Sequence, residues 1–334
     1  MDIFGERIIN LIPLKILRQL QPVNPSILNY HMVSDYPKPH IEHLYSFRDT
    51  TSFKRDIEYF ISHHVPVDLD TLLNSLKKGV PPPAKSFHLT FDDGFREMED
   101  TVTPILLEMG IPATFFLTTR LIDNTELQSG NKKSLLIHHI ESNLSDSEKS
   151  HIRELMDSVQ LPGSCIPDRI MSIPHHSREK LDQIASEAGL DFQKYLDDHK
   201  PYLTSEQVRS MLDKGFSIGG HSIDHPNYPE LTLNEQLNQT LKSVDYLCDR
   251  FSVDYRVFSF PFSDKGISTS FFRIIENELD ATFSNRGYFE DPVLFNCQRI
   301  SVEKSEVAVR DALKYHYSRK LMYRLRKRHV IRRE

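Results

Sequence analysis

The sequence predicts an α/β fold with mainly parallel strands, and three observations indicate it. Strand-like and helix-like segments alternate along the chain, which is typical of parallel α/β folds. The polar motifs fall just after predicted strands, where catalytic groups collect in α/β barrels. The length of 334 residues exceeds the ~250 that such a barrel commonly needs. A barrel with one insertion therefore fits the chain better than two domains.

The predicted elements follow from apolar runs and from helix start and stop signals. Thr204 with Gln207 and Thr232 with Glu235 form capping boxes, and Gly215 ends the first of these two helices. Earlier helices are predicted over residues 53–64 and 101–109. The predicted strands span residues 27–31, 86–91, 113–118, 216–219, 257–260 and 281–284.

Residues 121–203 have a different character. This stretch is highly charged, begins one helix at the capping box of Ser145 and Glu148, and shows helical periodicity without a convincing strand. We interpret it as a helical insertion, either a lid over a substrate groove or an addition to the surface. The histidine pairs 138–139 and 175–176 are expected on its surface, because neighbouring helical side chains point in different directions.

Composition indicates an ordinary soluble protein, with 39% hydrophobic and 26% charged residues. The three cysteines lie far apart in the sequence, which favours neither a zinc cluster nor a disulfide framework and suggests a reducing compartment. Residues 1–25 form an amphipathic segment that makes a poor secretory signal, and no stretch is long and apolar enough to span a bilayer. We therefore expect a cytoplasmic protein.

Charge is concentrated near the end of the chain. Residues 314–334 contain nine Lys or Arg and one Glu, a net charge of +8, so the chain's net charge of −6 leaves −14 on residues 1–313. The sequence predicts a domain of residues 26–313 followed by a basic tail. We expect this tail to make peripheral contact with anionic lipid at the inner face of the cytoplasmic membrane. A solvated terminal helix is the alternative. Nucleic acid is not expected as a partner, because the acidic body would oppose its approach.

Two polar motifs point to metal chemistry. Asp92 and Asp93 end the strand-like run of residues 86–91, while His221 and His225 follow the run of residues 216–219. An Asp-Asp-Gly sequence alone most often forms a turn, but one carboxylate and two imidazoles after neighbouring strands are suitable ligands for one metal ion. One Asp and two His leave a coordination position open, as in catalytic zinc sites. The pattern predicts a hydrolase that binds Zn²⁺ or another divalent metal.

These motifs carry a resemblance to a known family. Thr90-Phe-Asp-Asp-Gly94, His221-Ser-x-x-His225 and Phe260-Pro-Phe262 resemble the first three motifs of the polysaccharide deacetylases, carbohydrate esterase family 4, also called the NodB-homology group. Residues 29–33 resemble the early Tyr-His-x-Val motif of one branch. The resemblance covers roughly residues 26–302 and implies a distorted (β/α)7 barrel.

The resemblance implies roles for individual residues. Asp93, His221 and His225 would bind the metal, and Asp92 would be the catalytic base. His31 would be the acid, because residues 295–303 lack the histidine that most members carry there. Arg299 would replace the arginine that orients the base in most members. One alternative is that Arg256 has this role. The other is that Arg299 forms only a surface salt bridge. In the third motif, the backbone amide of Phe262, which follows Pro261, would stabilise an oxyanion. In the second motif, Ser222 would fix the loop that carries the two histidines.

The expected activity is removal of an N-acetyl group from an amino sugar in a polysaccharide or glycan precursor of the cell envelope. The sequence leaves two alternatives open. One is a deformylase or deacetylase of a lipid-linked amino sugar, which the basic tail would favour. The other is a catalytically inactive carbohydrate-binding homologue, because two motif residues of the family are missing.

Overall fold

The protein forms a parallel β-barrel surrounded by helices in a computed structural model that describes residues 11–20, 23, 25–304 and 307–333. All six predicted strands are present, with ends within one residue of the predicted positions. Three further short strands were not predicted. The strands are β1 (Ser26–Tyr30), β2 (Val65–Pro66), β3 (Ser86–Phe91), β4 (Ala113–Leu117), β5 (Ser217–Gly220), β6 (Val257–Ser259), β7 (Ala281–Ser284), β8 (Asn296–Gln298) and β9 (Ile300–Ser301).

The barrel has seven positions around its circumference. Strands β1, β3, β4, β5, β6 and β7 lie side by side, and every pairing between neighbours is parallel. Only Arg299 separates β8, which pairs with β7, from β9, which pairs with β1. These two segments therefore act as one interrupted seventh strand that closes the barrel. The predicted distorted (β/α)7 barrel is confirmed.

Helices cover the outside of the barrel and form the insertion. The predicted capping boxes at Ser145, Thr204 and Thr232 are all present. The helices are α1 (Leu14–Leu20), α2 (Thr50–Ile61), α3 (Leu69–Lys78), α4 (Thr103–Met109), α5 (Ser129–Asn143), α6 (Asp146–Ser158), α7 (Ile166–Met171), α8 (Glu179–Glu187), α9 (Phe192–His199), α10 (Ser205–Asp213), α11 (Leu233–Phe251), α12 (Thr269–Ile275) and α13 (Val309–Leu325).

The strands are buried on both faces, as expected of a parallel sheet covered by helices. All residues of β1, β3, β4 and β7 are buried, and the aromatic rings of Phe91 and Phe115 stack with centroids 4.9 Å apart. At Gly219 a Cβ atom would lie only 2.6 Å from the ring of Phe116, so this strand position requires glycine. Tight packing here fixes the strand that leads into the histidine motif.

The insertion is helical, as predicted. Helices α5 to α9 share an apolar core of their own, which also includes Phe95 and Tyr202 from its border with the barrel. Residues 121–203 are described throughout and contain no β-strand. The insertion is therefore a compact helical layer attached beside the end of β3.

The end of the chain differs from the prediction. Helix α13 runs through the predicted boundary at residue 313, and Leu313 and Tyr317 belong to the same buried core as Leu14 and Leu17 of α1. Ile331 is also buried. Residues 314–333 are therefore packed onto the barrel, because one face of the basic helix is apolar.

The first ten residues of the predicted N-terminal segment, with residues 21, 22 and 24, lie outside the described residues. Within the described part of the chain, no helix combines the length and the apolar character needed to cross a membrane.

Candidate active site

The three predicted metal ligands meet at the carboxyl ends of the barrel strands. Asp93 follows β3, and His221 and His225 lie in the loop after β5. The Asp93 Oδ1 atom is 3.5 Å from His221 Nε2 and 3.3 Å from His225 Nε2. One ligand atom from each residue can be chosen so that all lie within 4.8 Å of one another. The structure thus brings together all three residues that the sequence selected.

The state of these side chains suits a metal ion. Asp93 Oδ1 is buried and has no hydrogen-bond partner in the described part of the chain, whereas Tyr45 donates to Asp93 Oδ2 at 3.1 Å. His221 Nδ1 lies 2.8 Å from the carbonyl oxygen of Ser259, which requires a proton on Nδ1 and leaves a lone pair on Nε2. Burial lowers the pKa of His225 and so favours the neutral ring that metals bind. Two nitrogens and one oxygen are a donor set that zinc accepts.

The adjacent aspartate, Asp92, has a different partner. The Arg299 guanidinium donates to both of its oxygens, with Nη1 to Oδ1 at 2.8 Å and Nη2 to Oδ2 at 2.6 Å. Both side chains are almost completely buried. Burial raises the pKa of Asp92, but the charge and hydrogen bonds of Arg299 outweigh it and lower the pKa below its ordinary value. Asp92 is therefore a carboxylate at neutral pH.

Arg299 is itself held from two sides. Its Nη1 donates to Thr90 Oγ1 at 3.0 Å and its Nη2 to Ser259 Oγ at 2.7 Å, so it links β3, β6 and the break between β8 and β9. The alternative candidate Arg256 lies elsewhere and pairs with Asp245. The Arg299 side chain is 0% exposed, so its salt bridge with Asp92 is buried and is not a surface one.

His31 lies at the end of β1 and is oriented by a residue that the sequence reading missed. Glu303 accepts from the His31 ring at Nδ1, 2.5 Å away, and from the His31 backbone N–H at 2.7 Å. Burial opposes a charge on the ring, but the charge and the hydrogen bond of Glu303 outweigh burial and raise the pKa of His31 to about 9. His31 is thus a protonated group beside the candidate metal ligands at neutral pH.

The third motif lines the same site. Phe262 is 64% exposed, and its ring packs edge-on against the His225 ring, with centroids 4.9 Å apart. Phe262 has φ of +59°, and Asp93, Ser222 and His225 also have positive φ values. Such conformations are costly for residues other than glycine and often occur at functional sites.

Hydrogen bonds within the two motif loops hold their shape. The carbonyl oxygen of Pro261, which precedes Phe262, accepts from the Ser263 backbone N–H. The Ser222 hydroxyl accepts from the His225 N–H at 2.9 Å and so braces the histidine loop.

A cavity of about 680 Å³ opens above these groups. Its walls include His31, Tyr45, Asp93, His225 and Phe262 on the barrel side. The insertion supplies much of the opposite wall, including Gln128, Ser129, Gly130, Lys133, Met171, Ser172, Ile173, Pro174 and His175.

The insertion therefore forms part of the site, and the expected surface position is wrong for His175. This ring is half-buried and lies 3.6 Å from Asp224, a residue of the loop between the two ligand histidines. Tyr45 and Glu303 belong to no motif in the sequence. A search for a carboxylate to pair with His31 could have found Glu303, which ends the 295–303 segment, whereas no signal marked Tyr45.

A parallel barrel with its ionised and imidazole side chains gathered at the carboxyl ends of the strands has the architecture of an α/β-barrel enzyme. Sequence comparison gives the family: the chain belongs to the polysaccharide deacetylases, whose family model matches residues 79–279. A comparison with curated protein sequences gives no match.

Solved structures show the same fold at low sequence identity. The deacetylase PplD of Streptococcus pyogenes, solved in complex with acetate, is 15% identical with a TM-score of 0.55, and the match covers 89% of this chain and 99% of that one. IcaB of Ammonifex degensii is 13% identical with a TM-score of 0.51, over 88% and 96% of the two chains. A polysaccharide deacetylase of Bacillus cereus is 12% identical with a TM-score of 0.54, over 87% and 68%.

Proposed function

We propose that the protein is a metal-dependent deacetylase that removes the N-acetyl group from an amino sugar in a polysaccharide or glycan precursor. One observation carries the proposal. His31, Asp93 and His225 line one cavity, His221 completes the candidate metal-ligand set with Asp93 and His225, and the ionised carboxylate of Asp92 lies buried next to Asp93 in the chain. Amide hydrolysis needs a base for water, stabilisation of an oxyanion and an acid for the leaving amine.

Asp92 is proposed as the base. Arg299 keeps the Asp92 carboxylate ionised and fixes its orientation. Each Asp92 oxygen accepts only one hydrogen bond from Arg299, so a lone pair remains to accept a proton from the attacking water. Arg299 is a positioning residue in this scheme, because it acts through Asp92. Most members of the family carry the orienting arginine in the third motif, shortly before the position of Pro261. Arg299 lies buried next to the carboxylate and can therefore take its place.

The metal would be held by Asp93, His221 and His225, with zinc as the proposed ion. A divalent ion bound there polarises the amide carbonyl and lowers the pKa of water in its coordination shell. Tyr45 holds the second oxygen of Asp93 and so directs Oδ1 towards the two histidines. The proposed oxyanion donor is the backbone N–H of Phe262, which makes no hydrogen bond to the described part of the chain.

His31 is proposed as the acid that protonates the departing amine. Glu303 occupies Nδ1, so the proton to be donated is the one on Nε2. The carboxylate also stabilises the charged ring until the amine has left. His31 lines the cavity, as a group that meets the scissile bond must.

The substrate is proposed to enter the cavity with one sugar unit at the metal ligands. A volume of about 680 Å³ is within the ordinary range for small-molecule sites, so it holds part of a glycan. A lipid-linked amino sugar is the second candidate, favoured by the positive charge of residues 314–333. With this second candidate we also propose that the basic region contacts the inner face of the cytoplasmic membrane.

Acetate release tests the function. Purified protein is loaded with Zn²⁺ and incubated with N-acetylated oligosaccharides, nucleotide-linked sugars and lipid-linked sugars, and free acetate is measured. We expect release from at least one class and loss of release after metal removal. A protein that binds one of these glycans without releasing acetate would instead be the inactive carbohydrate-binding homologue. Bound metal retained in full after replacing both His221 and His225 by Ala would contradict the ligand assignment.

A further inference from the structure

The last described residues of the chain place an arginine in a buried acidic pocket. Residues 329–333, here called the C-terminal segment, pair with the loop around Glu290. The Glu290 N–H donates to the carbonyl oxygen of His329, and the Ile331 N–H donates to the carbonyl oxygen of Glu290, both at 2.9 Å. The pairing carries the Arg333 side chain, only 3% exposed, towards the barrel.

The Arg333 guanidinium connects two carboxylates. Its Nη2 lies 2.5 Å from Asp264 Oδ2 and also contacts Asp291 Oδ2, while its Nε is 3.3 Å from Asp291 Oδ1. The guanidinium carbon lies 4.2 Å from the centroid of the Phe272 ring. Asp264 is 0% exposed and Asp291 is 5% exposed. A planar guanidinium with several donors and a ring beneath it suits this position better than lysine would.

The other donors to these carboxylates are neutral. The side-chain amides of Asn296 and Gln298 each donate to both Asp264 and Asp291. Arg286 is more distant, with Nε 4.0 Å from Asp264 Oδ1. Without Arg333, two buried carboxylates would share neutral donors and repel each other. Removing one partner of a buried ion pair is strongly destabilising, because it leaves the other charge uncompensated.

Asp264 in turn fixes the loop of the third motif. Its backbone N–H donates to Ser284 Oγ at 2.9 Å, and its Oδ1 accepts from the same hydroxyl at 2.8 Å. Two residues earlier, Phe262 is held at φ of +59°, a conformation that a bulky side chain keeps only when its surroundings impose it. The loop is anchored before Phe262 by the Phe260 N–H, which donates to the Phe283 carbonyl at 2.9 Å. Asp264 is the anchor on the other side.

We propose that Arg333 is a positioning residue for catalysis: by compensating Asp264 and Asp291, it holds the loop of residues 261–264 so that the Phe262 amide faces the reacting carbonyl. The inference rests on the proposed function for the role of that amide, whereas the effect on the loop does not depend on it. Residues near the end of the chain thereby contribute to a site at the carboxyl ends of the strands.

The test replaces Arg333 in the full-length, zinc-loaded protein. Arg333→Gln removes the charge and keeps a polar side chain, and the exposed neighbour Arg332→Gln is the matched control with the same loss of charge. We expect kcat for acetate release to fall at least about tenfold with KM within about twofold, because the loss concerns orientation rather than binding. Zinc content should stay at the wild-type level. Arg332→Gln should match the wild type in every measurement.

A structural readout accompanies the kinetics. Hydrogen exchange, followed by mass spectrometry, should accelerate at least about tenfold more in peptides covering residues 262–266 and 288–292 of Arg333→Gln than in peptides covering the barrel strands. Adding Asp291→Asn to Arg333→Gln should restore part of kcat, since one of the two repelling charges is then gone. If Arg333→Gln does not fold, Arg333→Lys replaces it, because lysine cannot donate to both carboxylates in the same fork geometry.

The outcomes separate the two proposals. Wild-type kcat and unchanged exchange in Arg333→Gln would overturn the inference, and so would exchange that accelerates equally throughout the barrel. If the wild type releases no acetate, the proposed function fails, while the exchange measurement still decides whether Arg333 holds the loop.

Discussion

Two neighbouring aspartates acquire different chemistry because the strand end turns between them. Asp92 points to Arg299, which compensates its charge and donates one hydrogen bond to each of its oxygens, so that each oxygen keeps a lone pair. Asp93 has positive φ, which directs its side chain towards His221 and His225. One carboxylate thus stays available for a proton while the other is available for a metal ion. Their roles follow from their partners rather than from their identity.

The first prediction separates these roles. Asp92→Asn keeps the size of the side chain but cannot accept a proton, so kcat for acetate release should fall by at least ~10²-fold, the usual contribution of a general base. Zinc content, measured by atomic absorption, should remain at one ion per chain, and glycan binding should persist. Activity close to that of the wild type would remove Asp92 from the mechanism.

The second prediction concerns the acid. His31→Ala should slow hydrolysis of an amide by about 10²-fold or more but affect an activated acetyl ester much less, because only the amine needs protonation to leave. Glu303→Gln removes the charge that raises the pKa of His31 and leaves the burial that lowers it. The alkaline limb of kcat against pH should therefore move to lower pH in Glu303→Gln. Equal losses on both substrates and an unmoved limb would identify His31 as structural.

The sequence specified most of these residues but not their partners. Asp92, Asp93, His221 and His225 lie within short motifs, so a local pattern identifies them. Arg299 is 207 positions from Asp92, and Glu303 is 272 positions from His31, and each pair meets only because the barrel closes. The resemblance to the family suggested Arg299. Glu303 belongs to no motif and could be found only by a search for a partner of His31, and Tyr45 had no signal at all, since single polar residues are common in any chain.

At the level of elements, the histidine loop is tied to three parts of the fold through Asp224. Its carboxylate accepts from Arg120 at 2.9 Å, from Arg178 at 3.2 Å and from Gln239 at 2.8 Å. Burial raises the pKa of Asp224, but contacts with His175, Gln239 and Arg120 outweigh it and lower the pKa far below its ordinary value. The insertion therefore supports the histidine loop directly, because Arg178 and His175 belong to the insertion.

The third prediction follows from this link. Asp224→Asn removes the charge that holds the arginines while leaving the three ligands in place, so Zn²⁺ affinity should fall by about 10- to 100-fold, as is typical when support behind the ligands is lost. Competition with a chromophoric chelator measures the affinity. Asp254→Asn, at an exposed position, is the matched control and should bind like the wild type. Unchanged affinity in Asp224→Asn would show that the loop is rigid without the insertion.

Elements with long apolar runs were predicted well, and short polar ones were not. Strand β3 has six buried residues in a row and was predicted with its correct ends. Strands β8 and β9 have three and two residues, include Asn296, Gln298 and Ser301, and are interrupted by Arg299. Their pairing is imposed by barrel closure, a tertiary effect that overrides local propensity. The pairing of Arg299 with Asp92 therefore lies at a break between two strands that the sequence did not reveal, although the resemblance to the family suggested the residue.

For the whole molecule, the fold of the basic region changes how membrane association must be tested. Because α13 is part of the core, ending the chain at residue 313 would remove buried residues along with charges. We expect the full-length protein to sediment with anionic vesicles at low salt and to leave them at high salt. Replacing exposed cations of this region by Gln should abolish sedimentation, since each contributes ~1 kcal/mol near the surface. The substituted residues are Arg324, Lys327 and Arg328, and the charge-matched control replaces Lys54, Lys194 and Lys242. Equal sedimentation of the two triple variants would exclude the basic region as the contact.

Buried neutral histidines give the folded molecule a pH dependence of its own. His88 in β3 bonds to the Val67 carbonyl through Nδ1 at 2.8 Å and to Thr114 Oγ1 through Nε2 at 2.9 Å. Burial lowers the pKa of His88 to about 4, and burial, with the charge of Lys38, lowers that of His40 to about 3. An unfolded chain binds these protons near pH 6.5, whereas the folded chain does not. The free energy of unfolding should therefore decrease as pH falls below 6.5.

The last prediction uses the window between pH 6.5 and 4.5. His31 opposes this slope near pH 6.5, because its folded pKa of about 9 keeps it protonated while the unfolded ring is only half protonated, and its contribution fades towards pH 4.5. Carboxylates with lowered pKa values lose their contribution mainly below this window. Urea unfolding with a chelator present, which removes metal effects, should show a free energy of unfolding that falls with pH. His88→Gln should be less stable at pH 7 but have a slope reduced by about one proton, while the exposed control His151→Gln keeps the wild-type slope. A wild-type slope in His88→Gln would mean that the His88 ring is protonated in the folded core.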